Sequence, residues 1–209
     1  MDEQIEMIEE VQEETNEEVV PEINEEKKPK IDWIAEIKDL LITFVVCFIA
    51  VWTITNFVVK PVQVDGDSMY PTLEDQERGF SSVISKHFDI ERFDIVVVES
   101  QSDSNVYWVK RVIGLPNETI SCVNDVIYID GKAIEQDFLD ENYVASEKQI
   151  FGSFTRDFGP IVLGENEYFL MGDNRNHSTD SRSVGAFSKE DITSVGIFVY
   201  FPFSEFGGK

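Results

Sequence analysis

Between Leu40 and Val59 the chain reads LLITFVVCFIAVWTITNFVV, 20 residues without a charge, bounded by Lys38 and Lys60. As an α-helix rising about 1.5 Å per residue, such a run covers roughly 30 Å, the thickness of a bilayer's hydrocarbon. The sequence therefore predicts a single N-terminal transmembrane helix over 40–59. A cleaved secretory signal has a short basic start, a shorter apolar stretch and small residues at the cut. Here 39 residues precede the run and Val58-Val59-Lys60-Pro61 ends it, so the segment reads as an uncleaved anchor. Lys27, Lys28, Lys30 and Lys38 lie on the amino side, against Lys60 and Arg78 on the other. That bias puts the N-terminus in the cytoplasm and residues 60–209 outside.

Charge narrows the reading further. The 209 residues carry 41 acidic and 17 basic side chains, net −24, which excludes affinity built on neutralising phosphates, so nucleic acid is not an expected partner. Residues 1–39 hold 15 of the acids and 4 lysines. Their few apolar side chains cannot repay the entropy of ordering, and 1–39 reads as an acidic, disordered cytoplasmic tail. The rest of the chain is rich enough in aromatic and aliphatic residues to fill a core. Cys47 and Cys122 cannot form a disulfide framework, and Cys47 lies inside the apolar run.

Past the anchor the pattern is strand-like. VVKPVQV, FDIVVVES, VYWVKRVIG, VIYIDGKAI, EYFLMGDN and SVGIFVYFPF are short β-branched or aromatic runs between Gly, Pro, Asn and Asp clusters. Asp130-Gly131 is a hairpin turn signal. The fold class is mainly β over 60–209, with 116–166, poorer in strand pattern towards its end, read as a small inserted subdomain.

Three stretches are denser in special residues than strands require. Val64-Asp65-Gly66-Asp67-Ser68-Met69-Tyr70-Pro71-Thr72-Leu73 places a serine after a glycine turn, which alone reads as a loop. Tyr107 to Pro116 places Lys110 among apolar residues of a strand. If even positions face inward, Lys110 joins Trp108 and Val112 while Val109 and Arg111 point out. Taken alone, this lysine reads either as a snorkelling surface residue or as a buried amine with a lowered pKa. Gly172 to Arg182, GDNRNHSTDSR, is a polar loop after an apolar strand and lacks the spacing of a calcium loop.

Together these stretches, with Arg92-Phe93-Asp94-Ile95-Val96-Val97-Val98, resemble in order the conserved boxes of the bacterial type I signal peptidases (S26 family), membrane-bound endopeptidases with a serine/lysine dyad. The resemblance implies a β-rich signal-peptidase catalytic domain, Ser68 as nucleophile, Lys110 as general base, Ser178 orienting the lysine, and Asp180 with Arg182 as an ion pair bracing the loop. It further implies that secreted preproteins with small residues one and three positions before the cut bind as an extended strand beside Gln63, Val64, Asp65 and Gly66. The protein would sit in a bacterial cytoplasmic membrane among phospholipids, with no metal and no cofactor.

Those roles are chemically coherent. A serine hydroxyl needs a base, and a lysine serves only when neutral. Moving its pKa from about 10.4 to about 8 requires roughly 3 kcal/mol, within the reach of burial. The Ser68 backbone N–H is available to an oxyanion; position 66, where some family members carry a second hydroxyl donor, is glycine here. A Ser-His-Asp arrangement is a competing reading, but His87 and His177 lie in polar stretches typical of the surface. A self-cleaving repressor shares the Ser-Met and Lys pattern but would carry a DNA-binding module in place of acid and an apolar span. An assembly factor on a degenerate peptidase fold would have lost Ser68 or Lys110.

Overall fold

The computed structural model describes residues 33–209 apart from 102, 104 and 105; the expected tail up to residue 32 lies outside them. The chain divides between Phe44 and Val45 into two compact units, and among the described residues all the β structure lies in the second.

Helix α1 (Trp33–Thr53) begins earlier than the apolar run, so residues 33–39 are helical and not part of an extended tail. Glu36 in its first turn suits the positive end of the helix dipole. Thr43 and Thr53 donate their hydroxyls to the carbonyls of Asp39 and Ile49, so neither is left unpaired within an apolar helix. A π-helical turn (Ile54–Val58) follows, and Val59 enters a strand. The expected transmembrane helix over 40–59 is thus not one helix: the run is shared among α1, the π turn and the strand, while α1 itself includes Glu36, Lys38 and Asp39. Among the described residues no helix is long and apolar enough to cross a membrane.

The fold is mainly β. Strands β1 (Val59–Gln63), β2 (Arg78–Ser82), β3 (Ile95–Glu99), β4 (Tyr107–Gly114), β9 (Glu167–Met171), β10 (Phe187–Ser188) and β11 (Ile192–Phe201) form one sheet in the order β1-β2-β11-β3-β4-β9-β10, and β12 (Gly207–Gly208) pairs with β11. A second sheet, β7-β6-β5-β8, is built from β5 (Thr119–Val123), β6 (Val126–Ile129), β7 (Lys132–Ala133) and β8 (Phe158–Val162). Asp130 and Gly131, both at positive φ, turn β6 into β7 as their dipeptide demands. Between β7 and β8 runs helix α2 (Glu141–Phe151), started by Asp140, whose carboxylate accepts the Tyr143 N–H at 2.7 Å, and stopped by Gly152 in the left-handed region.

Three apolar clusters fill the interior. Val96, Val98, Val112, Leu170 and Phe187 form one, Ile113, Ile120, Ile127, Phe169 and Met171 a second, and Val64, Met69, Leu73, Ile95, Val97 and Val199 a third. Strand β4 serves clusters on both faces, which explains why its last five residues are all buried. The expected inward-outward alternation therefore fails at Arg111. It is buried, and pairs with buried Asp173 at 2.7 Å.

Candidate active site

The third cluster positions the nucleophile. Met69 and Leu73, four residues apart, are fully buried, and the Leu73 N–H donates to the Met69 carbonyl at 3.0 Å. This turn of chain is therefore pinned from below and leaves Ser68 half-buried at its start. Gly66 at φ +92° makes the approach, with open space where a Cβ would stand, and its N–H donates to Asp75 at 2.8 Å.

Lys110 reaches the turn from β4. Its Nζ lies 2.8 Å from Ser68 Oγ and donates also to the Val109 carbonyl at 3.0 Å, 5.6 Å from the Trp108 ring. The side chain is 3% exposed. Burial drives its pKa from 10.5 to about 8; Asp180 and Asp173 pull it upwards, and Arg182 pushes it down again. About a tenth of the amine is then neutral at pH 7, and that fraction can accept a proton from Ser68.

The loop after β9 closes over this pair. The Asn174 N–H donates to the Ser68 carbonyl at 3.1 Å and its Nδ2 to the Asp67 carbonyl at 3.0 Å. Asp173 holds Arg111 and accepts the Thr72 hydroxyl at 2.6 Å, tying the loop, β4 and the nucleophile turn together. Asp180 accepts two hydrogen bonds from the Arg182 guanidinium, at 2.8 and 2.7 Å, and the Gly172 N–H at 3.0 Å. Burial raises its pKa, but the bonds and charge of Arg182 outweigh that and hold the carboxyl below its ordinary value. Arg175 is buried, with no carboxylate paired to it among the described residues; its guanidinium donates to Gly172 O, Thr155 and Gln136.

Ser68, Lys110, Asp180 and Arg182 are thus brought together. Ser178 is different. Its buried Oγ makes no well-formed hydrogen bond, but it stands near enough to the Asp180 carboxylate to help hold that carboxyl down, and the second bond of the amine goes to Val109 instead. Sequence reasoning did not assign Asp173, Asn174, Thr72 or Arg111. The density of polar residues in the 172–182 stretch was the available signal, but their partners are distant in the chain. His87 and His177 are exposed and stand in no triad with Ser68.

Residues 37–201 match the family described as Signal peptidase, peptidase S26. The chain is 42% identical over 163 residues to Signal peptidase I S of Bacillus subtilis (strain 168), covering 77% of this chain and 87% of that protein. It belongs to the signal peptidase family. Signal peptidase I of Bacillus amyloliquefaciens is 39% identical, over 82% of this chain and 91% of its own length. Signal peptidase IB of Staphylococcus aureus (strain COL) is 33% identical, over 82% and 93%. The protein is accordingly a peptidase, a hydrolase of the signal peptidase kind.

Proposed function

We propose that this signal peptidase removes N-terminal signal peptides from secreted preproteins with Ser68 as nucleophile and Lys110 as general base. The 2.8 Å contact between Lys110 Nζ and Ser68 Oγ, made by an amine whose pKa falls to about 8, carries the reading. Lys110 takes the hydroxyl proton as Ser68 attacks the scissile carbonyl. It returns that proton to the leaving amine, and water then hydrolyses the acyl-enzyme. The Ser68 N–H donates to the oxyanion. Ser178 supplies the hydroxyl that aims the amine once the side chains settle round a bound substrate, and Asp180 with Arg182 braces the loop.

Strand β1 is an edge of the main sheet, open to a further strand. Val64 spends its N–H on Glu77 and its carbonyl on Gln76. By alternation Gln63 and Asp65 turn theirs to the open side, where the residues before the cut pair beside Gln63 to Gly66.

The division into a tail ahead of α1, an anchor over the uncharged run 40–59 and an outer peptidase domain (60–209), with 116–166 as an inserted part, belongs to the same proposal. Helix α1 has no buried side chain, and the uncharged run within and after it supports attachment to the phospholipid of a bacterial cytoplasmic membrane. The N-terminus then lies inside and the catalytic domain outside. The test is cleavage of a precursor ending in an Ala-x-Ala signal by the full chain in detergent, with Ser68→Ala and Lys110→Ala as controls. Both variants should fold and lose several orders of magnitude in rate; turnover by Lys110→Ala near the wild-type rate sinks the dyad.

A further inference from the structure

A cavity of about 450 Å³ lies beside the nucleophile turn, lined by Asp67, Tyr70, Tyr143, Asn174 and His177. Its chemistry is one-sided. The Asp67 carboxylate makes no hydrogen bond or ion pair among the described residues, and Asn174 Oδ1 is a buried acceptor without a donor. The rings of Tyr70 and Tyr143 meet edge to face at 5.1 Å, offering π surface. Behind His177 stands the buried Glu147 carboxylate, 3.5 Å from Nε2. Burial above all, and then Glu147, Tyr70 and Asp67, pushes the Tyr143 hydroxyl up to about 12. No lysine or arginine is among the lining residues.

Free acceptors, aromatic faces and unneutralised negative charge are what a long cationic side chain needs. We propose that this cavity is a subsite for a lysine or arginine side chain of the precursor, carried within the first few residues after the cut. The inference rests on the peptidase reading above. Residues before the cut are accounted for by the β1 edge and, by resemblance, have small side chains next to the scissile bond. A cavity of this size lined by acceptors does not suit those. Tyr70 follows Ser68 by two residues along the chain from β1, and α2 brings Tyr143 to face it, so a peptide laid along β1 in the direction of that strand meets these walls after passing the nucleophile.

The experiment uses the full chain in detergent and peptides with one Ala-x-Ala signal, carrying Lys, Ala or Glu at each of the first four positions after the cut. At one of these positions lysine should raise kcat/KM about two- to fivefold over alanine, the size of one charge pair with an exposed carboxylate such as Asp67. Asp67→Asn should abolish the advantage and Asp67→Lys should transfer it to glutamate, each variant being compared only with itself on the alanine peptide. Tyr143→Leu, a change on α2 outside the chain segment that carries Ser68, should reduce the advantage, and its comparison with itself on the alanine peptide guards against misfolding of the Asp67 variants. Equal rates for lysine and alanine at all four positions overturn the subsite, as does an advantage that survives both Asp67→Asn and Tyr143→Leu. If the alanine peptide is cut without preference, only the subsite falls; if no peptide is cut, the peptidase reading falls with it.

Discussion

Gly172 passes so close to Ser68 that a Cβ built on it would stand 2.4 Å from the Ser68 carbonyl oxygen and 2.3 Å from Ser178 Oγ. The catalytic loop and the nucleophile turn are therefore in backbone contact, and the glycine is required by space and not by its φ. Gly172→Ala must push the two apart. Overpacking of this kind costs about 1–3 kcal/mol, and the shift also moves Ser68 off its lysine. A lower melting temperature should accompany a loss of kcat/KM larger than the stability change implies.

The rate should follow the protonation of Lys110. Below its folded pKa of about 8, kcat/KM should fall about tenfold per pH unit, and it should level off above. A profile flat from pH 6 to 10 is incompatible with this base.

The same lowered pKa makes stability depend on pH. Between about 8 and 10.5 the unfolded chain still holds a proton that the folded chain has released, so folding stability rises with pH across that window. Below 8 both states are protonated and the cost of burying the charge is felt in full, roughly 3 kcal/mol. Lys110→Met should therefore be more stable than the wild type at pH 6 to 7, with the difference closing as pH approaches 10.5 in denaturant titrations.

Arg111 and Asp173 form a buried pair, 2.7 Å apart, and removing either partner strands a charge. Asp173→Ala should cost about 3–5 kcal/mol in chemical denaturation. It also frees Thr72, so activity should fall more than a surface change would cause.

Ser178→Ala separates rate from stability. The buried hydroxyl makes no well-formed hydrogen bond and only a weak contact with Asp180, so its loss should change the melting temperature little, while kcat falls if the hydroxyl aims the amine. Asp180→Ala, which breaks the Arg182 pair and releases the Gly172 N–H, should lower both. Parallel thermal melts and kinetics on the two variants check the contrast.

The strands most legible in sequence were those of β-branched runs, such as Ile95–Glu99 and Tyr107–Gly114. Arg78–Ser82 and Phe158–Val162 contain Gly, Ser or Pro where a strand signal needs apolar weight; their place in the sheets comes from pairing with neighbours. Helix α2 was hidden in a polar stretch, although Asp140 and Gly152 mark its ends. Ser68 and Lys110 were legible through the motifs around them. The burial of Arg111 was not, because strand alternation assumes one wet face and the second sheet's cluster covers the other.

Strand β1 joins the π turn directly to the nucleophile turn, with no slack between. About ten residues separate Val58 from Ser68, so the serine can stand at most some 35 Å from the end of the apolar segment. If that segment is held at a lipid surface, the chain acts as a ruler. A precursor whose cleavage point emerges farther from the bilayer than this reach escapes processing, however well its side chains fit, and the length of a signal peptide becomes as much a part of recognition as its sequence.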